Sequence, residues 1–200
     1  MTWSPRATTC WPHCIGQHHC AGAVEYQHGA TGPVLHVVDH HLTKIAGEVV
    51  ARTMARTLGV PTVIARLNIQ YGNNGGWPFY HMEMILAGIP IPVPAGGPAR
   101  YNPIHEDDIV ASIPRLLAAA STPATTVNWC GGEIVSLQEW CGYLGSLIGK
   151  EPVFEDSAEA LRGNPTDSTR MRELIGGLTV DWRNGIHRMV TKFHPELVGA

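Results

Sequence analysis

The chain has 200 residues, of which 44% are hydrophobic and 16% charged, and its formal net charge is -3 at pH 7. This composition is typical of an ordinary globular domain, and the charge offers no basic surface for nucleic acid or an anionic membrane. No run approaches the ~18 apolar residues that a membrane span needs, and the amino terminus lacks the apolar block of a signal peptide. We therefore expect one cytoplasmic domain whose partners are small molecules or proteins.

The first part of the chain, residues 1–35, shows no sustained hydrophobic period and is predicted to be irregular. It contains Cys10, Cys14, His18 and Cys20, whose sulfur and nitrogen atoms are zinc ligands by chemistry. Their spacing is not that of a recognised zinc motif, and the segment has no Cys-x-x-Cys pair. Zinc binding is therefore kept as the weaker functional hypothesis, against the alternative of a degenerate segment rich in these residues.

An amphipathic helix is predicted next, ending at Gly59. Its apolar residues recur at the i, i+3, i+4, i+7 spacing of a buried stripe. Glu48 is expected to be the i, i+4 partner of Lys44 on the solvated face. The predicted stripe consists of Leu42, Ile45, Ala46, Val49, Val50, Thr53 and Met54.

Strands and helices then alternate along the chain. The β-branched run at residues 60–69 enters a glycine-rich loop, which predicts a buried strand followed by a turn. A helix is predicted over residues 77–87, an edge or irregular strand at the proline-rich stretch 89–94, and a short strand at 126–129. This alternation predicts the α/β class.

The next predicted helix follows a pair of aspartates. Asp107 or Asp108 is expected to be its amino-terminal cap, and Ile113 and Leu116 belong to its apolar face. Pro114 lies inside it and is expected to kink it, because the proline ring displaces a backbone hydrogen bond.

Two helices complete the prediction. Ser136 and Glu139 have the spacing of a capping box, which predicts a helix that begins there and ends at Gly149. The last helix is expected around residues 181–193, with Trp182 among its inward side chains.

Five stretches in fixed order across about residues 40–190 resemble the motifs of one enzyme family. They are TKIAGEVVAR, VIARLNIQYG, NPIHEDDIVAS, VNWCGGEIVSLQEW and DSTRMRELIG. They resemble the S-K-x-x-x-E helix, the R-x-x-N-x-Y-G strand end, the F-V-H-V-D-D-V-A segment, the Y-N-V-G-G-G-x-x-x-S-L-x-E-L segment and the D-x-S-x-x-x-x-x-L-G segment of the extended short-chain dehydrogenase/reductases, the NAD-dependent epimerase/dehydratase family.

The resemblance implies an incomplete Rossmann-like, doubly wound sheet with a small carboxy-terminal substrate-binding portion, within residues 36–198. It implies NAD or NADP as the cofactor and a nucleotide-linked sugar or related carbonyl or alcohol as the substrate. The Gly-x-x-Gly-x-x-Gly turn, which places the cofactor pyrophosphate at a helix amino terminus, is not found in the sequence. We therefore interpret the chain as truncated or degenerate at its cofactor-binding end.

The resemblance also implies a reaction centre. The family has a Tyr-x-x-x-Lys pair, in which the tyrosine exchanges a proton with the substrate and the lysine lies near the nicotinamide ribose. Lys44 matches the lysine, and His40 occupies the tyrosine position. Imidazole transfers protons near neutral pH, but the shorter ring does not place its nitrogen where the phenol oxygen would be. The implied centre is Lys44 with the cofactor and His40 in place of the tyrosine.

Three further residues match or adjoin the family's substrate-contacting positions. Asn68 and Tyr71 come from the strand motif, although Asn68 stands one place early. Arg100 stands one place from the family's Arg-Asp step and could bind a substrate diphosphate. The resemblance thus implies that Asn68, Tyr71 and Arg100 bind the substrate.

Two main hypotheses follow. The chain is an NAD(P)-dependent epimerase, dehydratase or reductase acting on a sugar-like substrate, impaired by loss of the glycine-rich half and of the tyrosine. Alternatively, it is a non-catalytic binding or dimerisation module derived from that family. Family members commonly pair through the helix that bears the lysine, so the resemblance implies a homodimer.

Overall fold

In the computed structural model the backbone is described for residues 34–197 and the side chains for residues 42–197. The helices are α1 (Val34–Leu58), α2 (Trp77–Ala87), α3 (Glu106–Ala118), α4 (Leu137–Ile148), α5 (Thr169–Ile175) and α6 (Trp182–Phe193). The strands are β1 (Val63–Leu67), β2 (Gln70–Gly72), β3 (Gly75–Gly76), β4 (Ile91–Val93), β5 (Arg100–Tyr101), β6 (Ile104–His105), β7 (Thr125–Trp129), β8 (Val135–Ser136) and β9 (Phe154–Asp156). The predicted α/β class is confirmed.

Two parallel strands, β1 and β7, form the longest ladder in the described chain. Arg66 lies opposite Asn128 and Ile64 lies opposite Thr126. Because side chains alternate across a strand, these four project from the same face of the sheet. Arg66 meets Glu48 of α1 there, so α1 lies on this face.

The opposite face of the same two strands is covered by other helices. Val127 packs there in a small apolar cluster with Leu116 of α3 and with Met171 and Ile175 of α5. Helices therefore lie on both faces of a parallel pair, which is the layering of a doubly wound sheet.

The larger core lies among α2, α4 and α6. Short strand pairs frame it: β2 with β3 and β6, β4 with β9, and β5 with β8. Trp140, Leu144 and Ile186 are fully buried in it. His81 is the polar exception: its Nδ1 accepts a hydrogen bond from the Trp140 indole at 3.0 Å, and burial lowers its pKa to about 4. The ring is therefore neutral at physiological pH.

Several predicted elements are confirmed in detail. The strand predicted at 60–69 is β1, and the helix predicted over 77–87 is α2 with the same bounds. The capping box is present in full: Ser136 Oγ accepts from the Glu139 amide, while the Glu139 carboxylate accepts from the Ser136 amide. Gly149 ends that helix in the left-handed conformation, with φ of 69°.

The predicted burial of the α1 stripe is wrong. Leu42 is 53% exposed and Val50 is 61% exposed, and the other large apolar members of the stripe are also exposed. The buried residue of the helix is instead Ala55, on the opposite side. The periodicity correctly indicated an apolar face, but the described part of the chain places nothing against it. The helix itself is confirmed, but it begins at Val34, so residues 34 and 35, which were predicted to be irregular, are helical.

The predicted cap of α3 is also wrong. The cap is His105, whose Nδ1 accepts from the Asp107 amide at 3.1 Å, and the helix begins at Glu106. Asp108 lies inside the helix and is 3% exposed. The helix continues through Pro114.

Asp108 instead joins α3 to the segment that precedes α6. Its Oδ1 accepts hydrogen bonds from the Thr179 amide and hydroxyl, both at 2.9 Å, and its Oδ2 accepts from the Val180 amide at 3.0 Å. A buried carboxylate is costly unless it is fully hydrogen-bonded. These three bonds satisfy it and fix the start of the last helix.

Candidate active site

The candidate site lies at the carboxyl ends of β1 and β7, where ligands bind in open parallel sheets. Asn68 follows β1 and is 4% exposed. Its Oδ1 accepts from the Ile69 amide, and its Nδ2 donates to Thr166 Oγ1 at 3.0 Å and to the Asn164 carbonyl at 3.2 Å. Within the described chain, this amide is held by the protein itself.

A second asparagine extends this buried polar network. The backbone amide of Asn102 donates to Asn68 Oδ1 at 3.3 Å. The side-chain oxygen Asn102 Oδ1 accepts from the backbone amide of Thr166 at 2.8 Å. Asn102 Nδ2 donates to the Gly131 carbonyl at 3.4 Å, immediately after β7. The network therefore ties the ends of both parallel strands to the segment around residue 166. Its members are far apart in sequence, so no local signal indicated it.

Tyr71 is buried, with 2% exposure, and its hydroxyl donates to the Trp182 carbonyl at 3.3 Å. Its ring stands edge-on to His105, with the centroids 5.2 Å apart. Burial raises the pKa of Tyr71 well above its usual range. The hydroxyl is therefore protonated and donates within the core. The contact with substrate that the resemblance implies for Tyr71 remains a prediction.

Arg100 is exposed, while its backbone is fixed by strand pairing. Its carbonyl accepts from the Asn164 amide at 2.8 Å, and the Asn164 carbonyl in turn accepts from Asn68. Asn68 and the Arg100 backbone are therefore both hydrogen-bonded to Asn164, which brings them close together. The exposed guanidinium also acts electrostatically on the Glu139 carboxylate. Its predicted diphosphate contact remains untested.

Lys44 lies on the exposed surface of α1. Its predicted pairing with Glu48 is wrong, because the Glu48 carboxylate is occupied by Arg66. Arg66 Nε donates to Glu48 Oε1 at 2.7 Å and its Nη2 donates to Oε2 at 2.8 Å. Within the described side chains Lys44 has no ion-pair partner, so its ammonium group is available to a ligand. The backbone of His40 is helical, and its side chain lies outside the described residues.

The Glu48–Arg66 pair fixes the Lys44 helix against β1. A bidentate guanidinium–carboxylate contact is directional as well as attractive. The hydrogen bonds from Arg66 hold the pKa of Glu48 below its usual range. Glu48 lies one helical turn after Lys44, so the pair sets where the lysine stands at the end of the sheet.

Solved structures with the same architecture identify the fold. UDP-glucuronic acid 4-epimerase from Bacillus cereus, in complex with UDP-glucuronic acid and NAD, matches with a TM-score of 0.67 and 17% identity. The UDP-glucose 4-epimerase of Thermotoga maritima, with UDP-glucose, matches at 0.64 and 21%, and the dTDP-glucose 4,6-dehydratase of Streptomyces venezuelae, with NAD bound, at 0.66 and 21%. The chain has an epimerase/dehydratase fold.

The match to the epimerase/dehydratase fold covers 78%, 78% and 77% of this chain and 52%, 53% and 50% of those three chains, respectively. The chain therefore spans about half the length of the structures it matches. No protein-family model and no curated protein matches the sequence. The fold implied by the sequence resemblance is confirmed, including its incompleteness relative to those structures.

The described residues fit a dinucleotide only in part. Lys44 offers a cation, unpaired among the side chains of residues 42–197, on the helix that flanks the sheet end. The Gly-x-x-Gly-x-x-Gly turn that would receive a pyrophosphate at a helix amino terminus is not present among residues 34–197. The described residues therefore account for part of a cofactor site.

The zinc hypothesis concerns Cys10, Cys14, His18 and Cys20, which lie outside the described residues and remain a prediction. Within the described part, no three His, Cys, Asp or Glu side chains are placed to hold a metal ion. Among the helices of residues 34–197, none is long and apolar enough to cross a membrane.

Proposed function

We propose that the chain is an NAD(P)-dependent epimerase/dehydratase-family oxidoreductase that acts on a sugar-like carbonyl or alcohol substrate. The observation that carries the proposal is the fold, shared with enzymes whose structures contain NAD and nucleotide-linked sugars. Lys44 is assigned to the cofactor ribose and His40 to proton exchange with the substrate. Asn68, Tyr71 and Arg100 are assigned to the substrate.

The exposure of Lys44 supports its part in this assignment. Since Arg66 occupies Glu48, this carboxylate does not pair with the lysine among the described side chains, which leaves the ammonium group for a ligand. The position of Arg100 beside the Asn68 network gives the substrate's anionic groups a cation at the same end of the sheet. The proposal therefore places two cations where the fold binds its ligands.

Calorimetric titration of the full 200-residue chain with NADH and NADPH tests the proposal. We expect saturable binding, weakened about tenfold by Lys44→Met because one charge-assisted hydrogen bond is lost. Lys192→Met, which removes an exposed lysine from α6, is the matched control and should bind like the wild type. Absence of saturable binding by either dinucleotide would overturn the enzymatic proposal for this chain.

A second experiment separates the side chain at position 40 from the rest of the site. In His40→Tyr, NADH-dependent turnover of a nucleotide-linked sugar should rise if the missing phenol limits the reaction. His41→Tyr is the control, because it adds the same ring one position away. An unchanged rate in a variant that still binds NADH would remove His40 from the proposed centre.

A non-catalytic role as a dimerisation module is the second candidate, and one observation favours it. The α1 stripe presents Leu42, Val49, Val50 and Met54 with exposures of 53%, 57%, 61% and 46%. A contiguous apolar face of this kind marks an interaction surface. We propose that a second copy of the chain covers it, since a helix can pair with its own equivalent through a self-complementary face.

Sedimentation velocity tests the dimer. Val49→Glu should shift the chain towards monomer because it places a charge in the stripe. Val110→Glu, on α3 and 66% exposed, makes the same change outside the stripe and should leave the dimer intact. A monomeric wild type at all accessible concentrations, or equal loss in both variants, would contradict this role.

A further inference from the structure

A cavity of about 440 Å³ lies on the face of the β1–β7 pair that meets α1. Arg66 and Asn128 lie opposite each other on the two strands, and Thr126 is one step away on the same face. Arg52 of α1 and Arg170 of α5 also line the cavity. The cavity is therefore built by four elements that are distant in sequence, and it falls in the size range of small-molecule sites, about 300–1,000 Å³.

Positive side chains predominate in the lining of this cavity. Three guanidinium groups line it, and the Glu48 carboxylate binds Arg66 in two bonds and lies 3.6 Å from Arg52. Arg170 has no ion-pair partner among the described side chains. Converging guanidinium groups repel one another unless an anion lies between them.

A second acidic residue lies beside the cavity. The Asp167 carbonyl accepts from Asn128 Nδ2 at 3.3 Å, which places Asp167 beside the site. Its carboxylate, however, accepts from both the amide and the hydroxyl of Thr169, at 2.9 and 2.7 Å. Asp167 is therefore held by its own turn and stays ionised, so its charge reduces the positive excess at the cavity without removing it.

A polar atom without a partner also belongs to the cavity. Thr126 Oγ1 is shielded from solvent and has no hydrogen-bond partner within the described chain. An unsatisfied buried hydroxyl costs free energy, which a bound acceptor atom would recover. Thr126 thus contributes a donor to the same space that holds the excess positive charge.

We propose that this cavity binds the phosphate group of a small anion, at a site separate from Lys44 and independent of the enzymatic proposal. Guanidinium groups recognise phosphate oxygens through paired, planar hydrogen bonds. Arg170 and Arg52 supply cations, and Thr126 supplies a neutral donor. The ligand is inorganic phosphate or the phosphoryl group of a small organic molecule, since both present the same tetrahedral oxygens.

Titration of the full chain with inorganic phosphate and with glucose 1-phosphate, at constant ionic strength, tests the site. Saturable binding is expected, with chemical-shift changes at the backbone amides of Thr126 and Asn128. Equal affinity for the two probes assigns the site to the free anion, and tighter binding of glucose 1-phosphate assigns it to a phosphorylated small molecule. Failure of both probes to saturate overturns the proposal.

Matched variants on one helix distinguish a site from general attraction. Arg170→Gln should weaken phosphate binding about tenfold, because one charge-assisted contact is lost. Arg172→Gln removes the same charge from an exposed position of the same helix outside the cavity and should bind like the wild type. Equal weakening in both variants would overturn the site, as would chemical-shift changes confined to α6.

Thr126→Val is a second variant that leaves the net charge unchanged. Loss of its hydroxyl should weaken phosphate binding without reducing the thermal stability of the ligand-free chain, since the hydroxyl has no partner there. NADH binding should be unaffected, because the cavity is separate from Lys44. Unchanged phosphate affinity in this variant would exclude Thr126 from the site and contradict the proposed geometry.

Discussion

Helices α1 and α6 both carry apolar residues at helical spacing, and these residues meet opposite environments. In α6, Ile186, Met189 and Val190 are all 0% exposed, whereas Val49 and Val50 of α1 are 57% and 61% exposed. Periodicity therefore predicts which face of a helix is apolar, but the covering surface must come from elsewhere. For α6 that surface is provided by α2 and α4, within the described chain.

The attachments of the two helices differ in kind. α6 is held by apolar packing and by the Asp108 contacts that precede it. α1 is held to β1 by the Glu48–Arg66 pair and by the turn at its end, where the Val60 amide donates to the Ala55 carbonyl at 3.1 Å. One helix is fixed mainly by area removed from water, the other mainly by directed polar bonds.

The sharpest test of this contrast replaces the same residue type in the core and in the stripe. Leu144→Ala, at a fully buried position of α4, should lower the free energy of unfolding by about 2–5 kcal/mol through lost burial and a cavity. Leu42→Ala, at a position 53% exposed, should change it by less than about 0.5 kcal/mol in the monomer. Urea unfolding at low protein concentration measures both, and equal losses would erase the contrast.

The carboxylate that orients α6 comes next in size. Asp108→Ala leaves the donors of Thr179 and Val180 without their acceptor and should lower the free energy of unfolding by about 3 kcal/mol. Asp107→Ala is the adjacent control. It breaks an exposed contact with Arg188 and should cost below about 1 kcal/mol. If the two variants unfold alike, the buried bonds do not fix α6.

The bond that holds α1 should have a smaller effect. Glu48→Gln removes the ionised partner of Arg66 and should cost about 1.5 kcal/mol, because the pair is only partly buried. A double-mutant cycle with Arg66→Gln isolates the coupling between the two side chains. Glu173→Gln, exposed on α5, controls for the loss of one negative charge. A coupling of zero would mean that α1 is held by something else.

The smallest effect concerns the end of α6 and depends on pH. His194 places Nε2 3.0 Å from Glu83 and Nδ1 3.0 Å from Glu196, so both ring nitrogens must be protonated to donate. The hydrogen bond to Glu83 raises the pKa of His194 above its ordinary 6.5. The stabilisation is therefore complete below 6.5 and is lost as pH rises through the raised pKa.

His194→Gln should accordingly cost below about 1 kcal/mol at acidic pH and nothing above the raised pKa, because the contact is exposed. Urea unfolding across the range measures the difference from the wild type. His187→Gln, on the exposed face of α6, serves as the control. A difference that grows with pH would contradict the assignment.

Local signals predicted the fold well wherever cause and effect lie close in sequence. The capping box at Ser136 and Glu139 and the strand that becomes β1 are examples, since each depends on a few consecutive residues. The burial of the α1 stripe and the cap of α3 were predicted wrongly. Asp108 accepts bonds from Thr179 and Val180, about seventy residues later, and no local pattern encodes that distance.

The candidate site was predictable only in its outline. Motif order indicated the fold and pointed to Lys44, whose role remains a prediction. The arginine cavity was missed because Arg52, Arg66 and Arg170 lie on separate elements. The available sequence signal was Arg66, a cation within the predicted strand, which indicated that an anionic group would lie against that strand. Glu48 was instead assigned to Lys44 because i, i+4 spacing favours that pairing.

The Asn68–Asn102–Thr166 network also limits motion. The segment around Thr166 has no helix or strand of its own, and such segments usually exchange their amide hydrogens quickly. Here the Thr166 amide donates to a buried acceptor that is itself tied to both parallel strands. Its exchange requires this buried bond to open. We therefore expect this amide to exchange more slowly than those of other segments without a helix or strand, and the wall of the candidate site to be better ordered than its irregular backbone indicates.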